Sequence, residues 1–214
     1  MDNRYVKIFA SGSKAPLKAT PGHFATNHAH INYYLDMTTL KTRLSEAQEV
    51  AKHLAERFLF DKVVDTIVCL EGTQVIGAYL AEELTRAGVL STNAHKTIYV
   101  ITPEYNSNSQ MVFRENILPM VHGKNVVILT AVVTTGLSLN KSIEAIQYYG
   151  GKLQSAAAVF STLDELNGCP LVPHRARQMT RDDYIYYDYR KCPLCEKGIK
   201  LDALVNAYGY TTLG

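Results

Sequence analysis

The chain has 214 residues, 47% apolar and 20% charged, which suits one well-buried domain and excludes a disordered or fibrous chain. Its formal net charge of +2 gives no electrostatic argument for nucleic acid or an anionic membrane, although a small phosphorylated ligand needs only local positive potential. Met1-Asp2-Asn3-Arg4-Tyr5 lacks the basic-then-apolar layout of a secretory leader, and no apolar run nears the ~18 residues of a membrane span. Four cysteines are too few for a disulfide framework, and a cytoplasmic protein is expected.

In chain order, residues 1–37 are irregular and rich in Gly, Pro and His, and read as a strand-bearing cap. From 39 to 58, Leu40, Leu44, Ala47, Ala51, Leu54 and Phe58 recur at helical spacing, with Lys41, Arg43, Glu46, Glu49, Lys52 and Glu56 filling the other faces. This predicts one amphipathic helix whose buried face is core. Residues 63–70 read as a buried strand, Glu71-Gly72-Thr73 as a turn, and 74–87 as a second helix that Gly88 can end. A short β-branched strand follows at 97–102. The polar stretch 103–116 is a long loop or mobile arm, a kind of segment that in a compact domain is usually functional or disordered.

The clearest unit is central. Val126-Val127-Ile128-Leu129 is an all-apolar run, as expected of a strand covered on both faces. A helix over 138–149 carries Leu139, Ile143 and Ile146 on one side, Gly150-Gly151 ends it, and 153–160 supplies the next strand. Strand, helix and strand this close imply a right-handed parallel crossover. The fold class is therefore α/β: a doubly wound, mainly parallel central sheet flanked by helices, with ligands beyond the carboxyl ends of the strands. No internal repeat divides the chain. A single domain over 1–214 is expected, its core about 38–165 and its cap formed by about 1–37 and 166–214.

Thr134-Thr135-Gly136-Leu137-Ser138 lies where the central strand gives way to its helix. Three hydroxyls can donate there, Gly136 lets the backbone approach a ligand, and the N–H groups of the first helical turn are free. An anion at such a terminus gains roughly 0.3–1 kcal/mol, and more when partly buried. The competing reading makes Ser138 an ordinary helix cap and the threonines turn residues.

The stretch Val126 to Ser138 resembles the signature of the type I phosphoribosyltransferases: an apolar strand, two acidic residues, a Thr-Thr-Gly-x-Thr-like loop and a helix. The resemblance implies that Thr134, Thr135, Gly136, Leu137 and Ser138 hold the 5′-phosphate of phosphoribosyl pyrophosphate (PRPP) or of a nucleoside monophosphate. Leu70-Glu71-Gly72-Thr73 occupies the place of the family's pyrophosphate loop, so Glu71, Gly72 and Thr73 are implied to face pyrophosphate. Gly22-His23-Phe24 with Asn32-Tyr33-Tyr34-Leu35-Asp36 is similar to the opening of orotate phosphoribosyltransferases, where this region caps the base. The resemblance covers residues 20–162.

Two departures stand out. The family's acidic pair, which engages the ribose hydroxyls, falls on Thr130-Ala131, and each lost charge-assisted hydrogen bond should cost roughly 1.5–3 kcal/mol. The family's lysine-rich mobile loop is matched by 103–116, where Arg114 is the only basic residue. The resemblance implies phosphoribosyl transfer from PRPP to a nucleobase, orotate or a purine, in nucleotide biosynthesis or salvage. Mg²⁺ would accompany PRPP, Thr130 and Arg114 would serve catalysis, and a homodimer is implied. The missing acidic pair keeps a second reading open, a non-catalytic regulator that binds a nucleotide or PRPP. A third reading is a structural dimer whose loop holds an adventitious anion.

In the tail, Cys192-Pro193-Leu194-Cys195 is half of a zinc site. Cys169 and His174 could complete it, or two copies of the motif could meet across a dimer. A reduced pair of cysteines in a tight turn is the alternative. His23, His28 and His30 match no zinc spacing and read as polar residues of the cap. Residues 184–189, with four tyrosines, suggest an edge strand or an interface, Arg175, Arg177 and Arg181 a solvated basic face, and 201–207 a short closing helix.

Overall fold

The apolar run around Ile128 becomes the middle of a six-stranded sheet. A computed structural model describes residues 5–58, 62–86, 92–94, 97–174 and 184–213. Its strands are β1 (Val6–Phe9), β2 (Pro16–Ala25), β3 (His30–Asp36), β4 (Thr66–Cys69), β5 (Tyr99–Ile101), β6 (Glu104–Tyr105), β7 (Met111–Val112), β8 (Asn125–Val133), β9 (Lys152–Ser161), β10 (Glu165–Leu166), β11 (Cys169–Pro173), β12 (Tyr186–Tyr187), β13 (Ala203–Asn206) and β14 (Gly209–Thr212). The helices are α1 (Thr38–Thr42), α2 (Leu44–Ala55), α3 (Gln74–Arg86), α4 (Leu137–Tyr148) and α5 (Pro193–Glu196).

The central sheet has the order β10-β11-β9-β8-β4-β5. It is parallel except for the short edge strand β10. Alternation of side chains along β8 serves two separate cores. Val127, Leu129 and Ala131 face the layer of α2 and α3, while Val126, Ile128 and Val133 face α4. Both sets are buried, which is why the strand reads as an unbroken apolar run. The helices thus cover both faces, as the doubly wound expectation required. Gly77 lets α3 approach the sheet, since a Cβ there would come within 2.4 Å of Cys69 Sγ.

A second sheet, β12-β3-β2-β13-β14 with β1 on β2, caps one side and joins the two ends of the chain. The tyrosine-rich segment is an edge strand, β12, paired antiparallel with β3. The central sheet also takes β11 from beyond the expected core limit near 165.

Three local expectations need correction. The single helix over 39–58 is two, broken at Arg43, whose φ of −90° and ψ of 122° are extended. The break turns Leu44 to solvent and Lys41, expected on the polar face, into the interior at 8% exposure. The closing helix expected over 201–207 is the strand β13. Ala203 and Val205 are buried while Leu204 and Asn206 are exposed, and Asn206 Oδ1 accepts from the Tyr208 and Gly209 N–H groups to turn the chain into β14. The arm at 103–116 contains a small hairpin, β6–β7. Gly88, Arg175, Arg177 and Arg181 lie outside the described residues.

Candidate functional site

β8 runs further than its apolar core suggested, through Thr130 to Val133, so that only Thr134-Thr135-Gly136 separates it from α4. Gly136 is the N-cap of α4, with φ 78°, and no side chain caps the helix. The left-handed backbone there costs an L-residue ~1–2 kcal/mol, which glycine avoids. Ser138 therefore is not the cap; it sits exposed in the first turn. Thr135 Oγ1 reaches only the Leu137 N–H, at 3.5 Å. The loop is braced from the residue that follows β9: the Thr162 N–H donates to Val133 O at 3.0 Å, and the Thr162 hydroxyl donates to Thr134 O at 2.9 Å. The result is a rigid turn with uncapped N–H donors and three hydroxyls, suited to a phosphate.

This turn lines a cavity of about 1400 Å³ between the central sheet and the capping sheet. Thr130, Thr134, Thr135, Gly136, Leu137 and Ser138 all line it, as does Glu71. The opposite wall comes from Thr26–Ala29, Tyr34 and residues 205–208. The β6–β7 arm closes a third side through Tyr105 and residues 108–112. Burial pushes the Tyr34 phenol up to about 12, helped by Asp36 and Tyr210.

The Glu71-Gly72-Thr73 turn faces the end of β8, and its residues are used unequally. The Thr73 hydroxyl is fully buried and lies 2.8 Å from Leu70 O and 3.0 Å from Leu129 O. It ties the turn to the neighbouring strand. Glu71 has φ 55°, an uncommon backbone for a non-glycine residue. Its Oε2 accepts from the Thr130 hydroxyl at 2.8 Å, the Ala131 N–H at 3.1 Å and the Val132 N–H at 3.3 Å. A carboxylate thus lies over the two positions where the strand itself carries Thr and Ala.

Beneath this turn lies Lys41, which the sequence pattern had put at the surface. Its Nζ donates to Glu71 O at 2.9 Å and to Ala207 O at 2.6 Å, joining α1, the turn and the tail. Burial holds its ammonium below the usual lysine range, against the opposing pull of Glu71 and Asp36. Arg114 stands apart. It forms a two-pronged ion pair with Glu104 at 2.7 and 3.0 Å, both side chains exposed, and it is not among the residues that line the cavity.

The C-x-x-C motif finds partners, though not the expected ones. Cys192 and Cys195 meet His23 and His30, and the four ligand atoms all lie within 4.8 Å of one another, a set that could hold a metal ion. Cys169 lies in β11 of the central sheet, and the His174 ring faces His53 at 3.1 Å. The helical turn of α5 brings the two cysteines to one side. The two histidines arrive from β2 and β3, a pairing that depends on strand register and has no signal in linear spacing.

No family model matches the chain. It is 26% identical over 180 residues to the orotate phosphoribosyltransferase of Pelotomaculum thermopropionicum, covering 83% of this chain and 85% of that protein. It is 27% identical to the orotate phosphoribosyltransferase of Chlorobium phaeobacteroides strain BS1, covering 85% and 86%. In fold it is similar to the adenine phosphoribosyltransferase of Saccharomyces cerevisiae, with TM-score 0.52 and 17% identity over 74% of this chain and 94% of that one. The orotate phosphoribosyltransferase from Aeropyrum pernix gives a TM-score of 0.50 at 17% identity, over 73% and 86%. In sequence and in fold the chain is thus similar to type I phosphoribosyltransferases. The curated relatives that it resembles over more than four-fifths of its length are orotate phosphoribosyltransferases.

Proposed function

We propose that this protein transfers a phosphoribosyl group from PRPP to a nucleobase, orotate or a purine, in nucleotide biosynthesis or salvage. The observation that carries this reading is the uncapped, glycine-started N-terminus of α4 on the wall of the large cavity. The main-chain N–H groups of 136–138 and the hydroxyls of Thr134, Thr135 and Ser138 hold the 5′-phosphate. Anchored there, the ribose extends toward Thr130 and Glu71.

In phosphoribosyl transfer, the bond from C1 of the ribose to pyrophosphate breaks as a ring nitrogen of the base bonds to that carbon. Positive charge develops on the sugar and negative charge on the leaving group, and fixed groups that match this pattern lower the barrier. Glu71 takes over the part of the family's acidic pair. Its Oε2 is fixed by three donors from β8, while Oε1 takes part in none of these bonds and can accept from a ribose hydroxyl. Thr130 acts through Glu71 by holding its carboxylate. Gly72 brings main chain to the pyrophosphate, and Thr73 fixes the turn that presents it.

A Mg²⁺ ion entering with PRPP fits this donor set, because Mg²⁺ is commonly held by one or two carboxylates together with substrate phosphates. When bound it would neutralise charge on the pyrophosphate, and Glu71, in the turn that faces it, is the carboxylate that would hold it. The aromatic rings of Tyr105 and Tyr208, both exposed to the cavity, are suited to stack on the base. Arg114 would act only if the arm swung inward and its pairing with Glu104 were exchanged for pyrophosphate.

A homodimer in the cytoplasm is the assembly and place this reading expects. Among the described residues no helix is long and apolar enough to cross a membrane.

The test is pyrophosphate release from PRPP and Mg²⁺ with orotate, uracil, adenine, guanine, hypoxanthine and xanthine in turn. Release that depends on one base supports the proposal and names the substrate. Silence across the panel, in protein that still binds a nucleoside monophosphate, refutes transfer and leaves a non-catalytic binder.

A further inference from the structure

We propose that His23, His30, Cys192 and Cys195 form a tetrahedral zinc site that fastens the C-terminal segment to the β2–β3 hairpin and so holds one wall of the cavity in place. This inference is independent of the catalytic reading, since none of the four residues takes part in the phosphate turn.

The geometry is that of a ligand set. His23 Nε2 and His30 Nδ1 lie 3.1 Å apart. Cys192 Sγ is 3.5 Å from His23 Nε2, and Cys195 Sγ is 3.7 Å from His23 Nε2 and 3.4 Å from His30 Nδ1. Around a tetrahedral zinc with Zn–N near ~2.05 Å and Zn–S near ~2.3 Å, N···N edges are about 3.3 Å and N···S edges about 3.6 Å. The four observed separations therefore differ from those edges by only a few tenths of an ångström. Cys₂His₂ is a recurrent closed donor set for structural zinc.

The surroundings orient the ligands. His23 lies at the register shift between Pro21 and Phe24 in β2, and such bulges re-aim side chains. Its Nδ1–H donates to Ile199 O at 2.9 Å. A carbonyl can only accept, so in the neutral ring the proton sits on Nδ1 and the Nε2 lone pair faces the cysteines. A backbone acceptor on the far nitrogen is the usual support of a metal-bound imidazole. His23 and Cys192 are each 1% exposed, which suits a closed, structural centre.

The site also has a mechanical purpose in the fold. Ladder pairing between the tail and the hairpin is short: β13 meets β2 at two positions and β12 meets β3 at two. The same tail supplies Asn206, Ala207 and Tyr208 to the cavity wall. A metal bonded to residues 23 and 30 on one side and 192 and 195 on the other adds a tie that the sheet alone supplies weakly.

The experiment uses full-length protein purified without a polyhistidine tag. Elemental analysis should find about one zinc per chain, and His30→Ala and Cys195→Ser should each lower that content at least tenfold. Cys169→Ser should keep the zinc. Cobalt exchanged into the wild-type protein should give tetrahedral d–d bands and thiolate charge-transfer absorption, a readout that stands even if the variants fold poorly. Metal removal should open the 184–213 segment to limited proteolysis. Folded wild-type protein that carries no zinc and takes up neither zinc nor cobalt would overturn the proposal. One zinc per two chains would also overturn it, in favour of a site shared across a dimer.

Discussion

Gly136→Asp is the most direct challenge to the phosphate turn. Gly136 has φ 78°, and a Cβ built there would meet the Leu166 methyls at 3.0 Å and a Leu163 methyl at 3.2 Å. The left-handed backbone costs an L-residue ~1–2 kcal/mol, while the leucine methyls can shift by tenths of an ångström. That sum lowers stability without unfolding a domain stable by several kcal/mol. Binding should suffer more. A carboxylate about 5 Å from the phosphate, at an effective dielectric between 20 and 80, repels it by ~1–3 kcal/mol per unit charge, and the phosphate carries roughly 1.5 to 2 such charges. The expected weakening is therefore tenfold at the least, by about 1.4 kcal/mol per decade. Titration calorimetry with a nucleoside monophosphate measures it, alongside equilibrium unfolding to establish that the variant is native. Gly136→Ala carries the strain without the charge and should lose much less affinity. A native Gly136→Asp protein with unchanged affinity would refute the assignment of this turn as the phosphate site.

Glu71→Gln keeps an oxygen for the Thr130 hydroxyl but removes the charge, and kcat/KM should fall by roughly ten- to a hundredfold, the range of one charge-assisted hydrogen bond; unchanged steady-state kinetics would remove Glu71 from the mechanism. In that background Thr130→Asp should recover part of the loss, whereas in the wild-type chain the same substitution sets two carboxylates side by side and should lower stability. Lys41→Met removes two buried hydrogen bonds to Glu71 O and Ala207 O, and should cost about 2 kcal/mol in urea unfolding, the charged-bond loss being partly offset by relief of desolvation. His174 is buried beside His53, and burial, with the His53 charge adding to it, lowers its pKa to about 4. Because the folded value lies below the unfolded 6.5, the unfolded chain binds more protons between those limits. Stability is complete above pH ~6.5 and should fall by up to ~1.4 kcal/mol per unit as pH drops toward about 4; His174→Gln should flatten that slope in pH-dependent melting, and an unaltered slope would assign the loss to other groups.

Features that arise within short stretches of chain were legible in the residues alone. An apolar run covered on both faces, helical spacing after it and a Thr-Thr-Gly turn between them are local facts, and β8, α4 and the Gly136 turn that joins them followed with boundaries off by a few residues. The parallel sheet followed too, because a strand–helix–strand spacing leaves little choice of crossover. Other features were decided only by tertiary structure. Lys41 looked like a surface residue until the break at Arg43 turned it inward toward carbonyls 30 and 166 positions away. Glu71 meets Thr130 across 59 residues, and no spacing rule links them. Residues 203–206 have a strand's alternation but too few residues to outweigh a helical reading until β2 and β14 pair with them. His23 and His30 became partners of Cys192 and Cys195 through a bulge and a hairpin register. Local propensity and periodicity act over one or two turns, whereas these meetings depend on which strands pair and in what register, a choice made by burial of the whole chain.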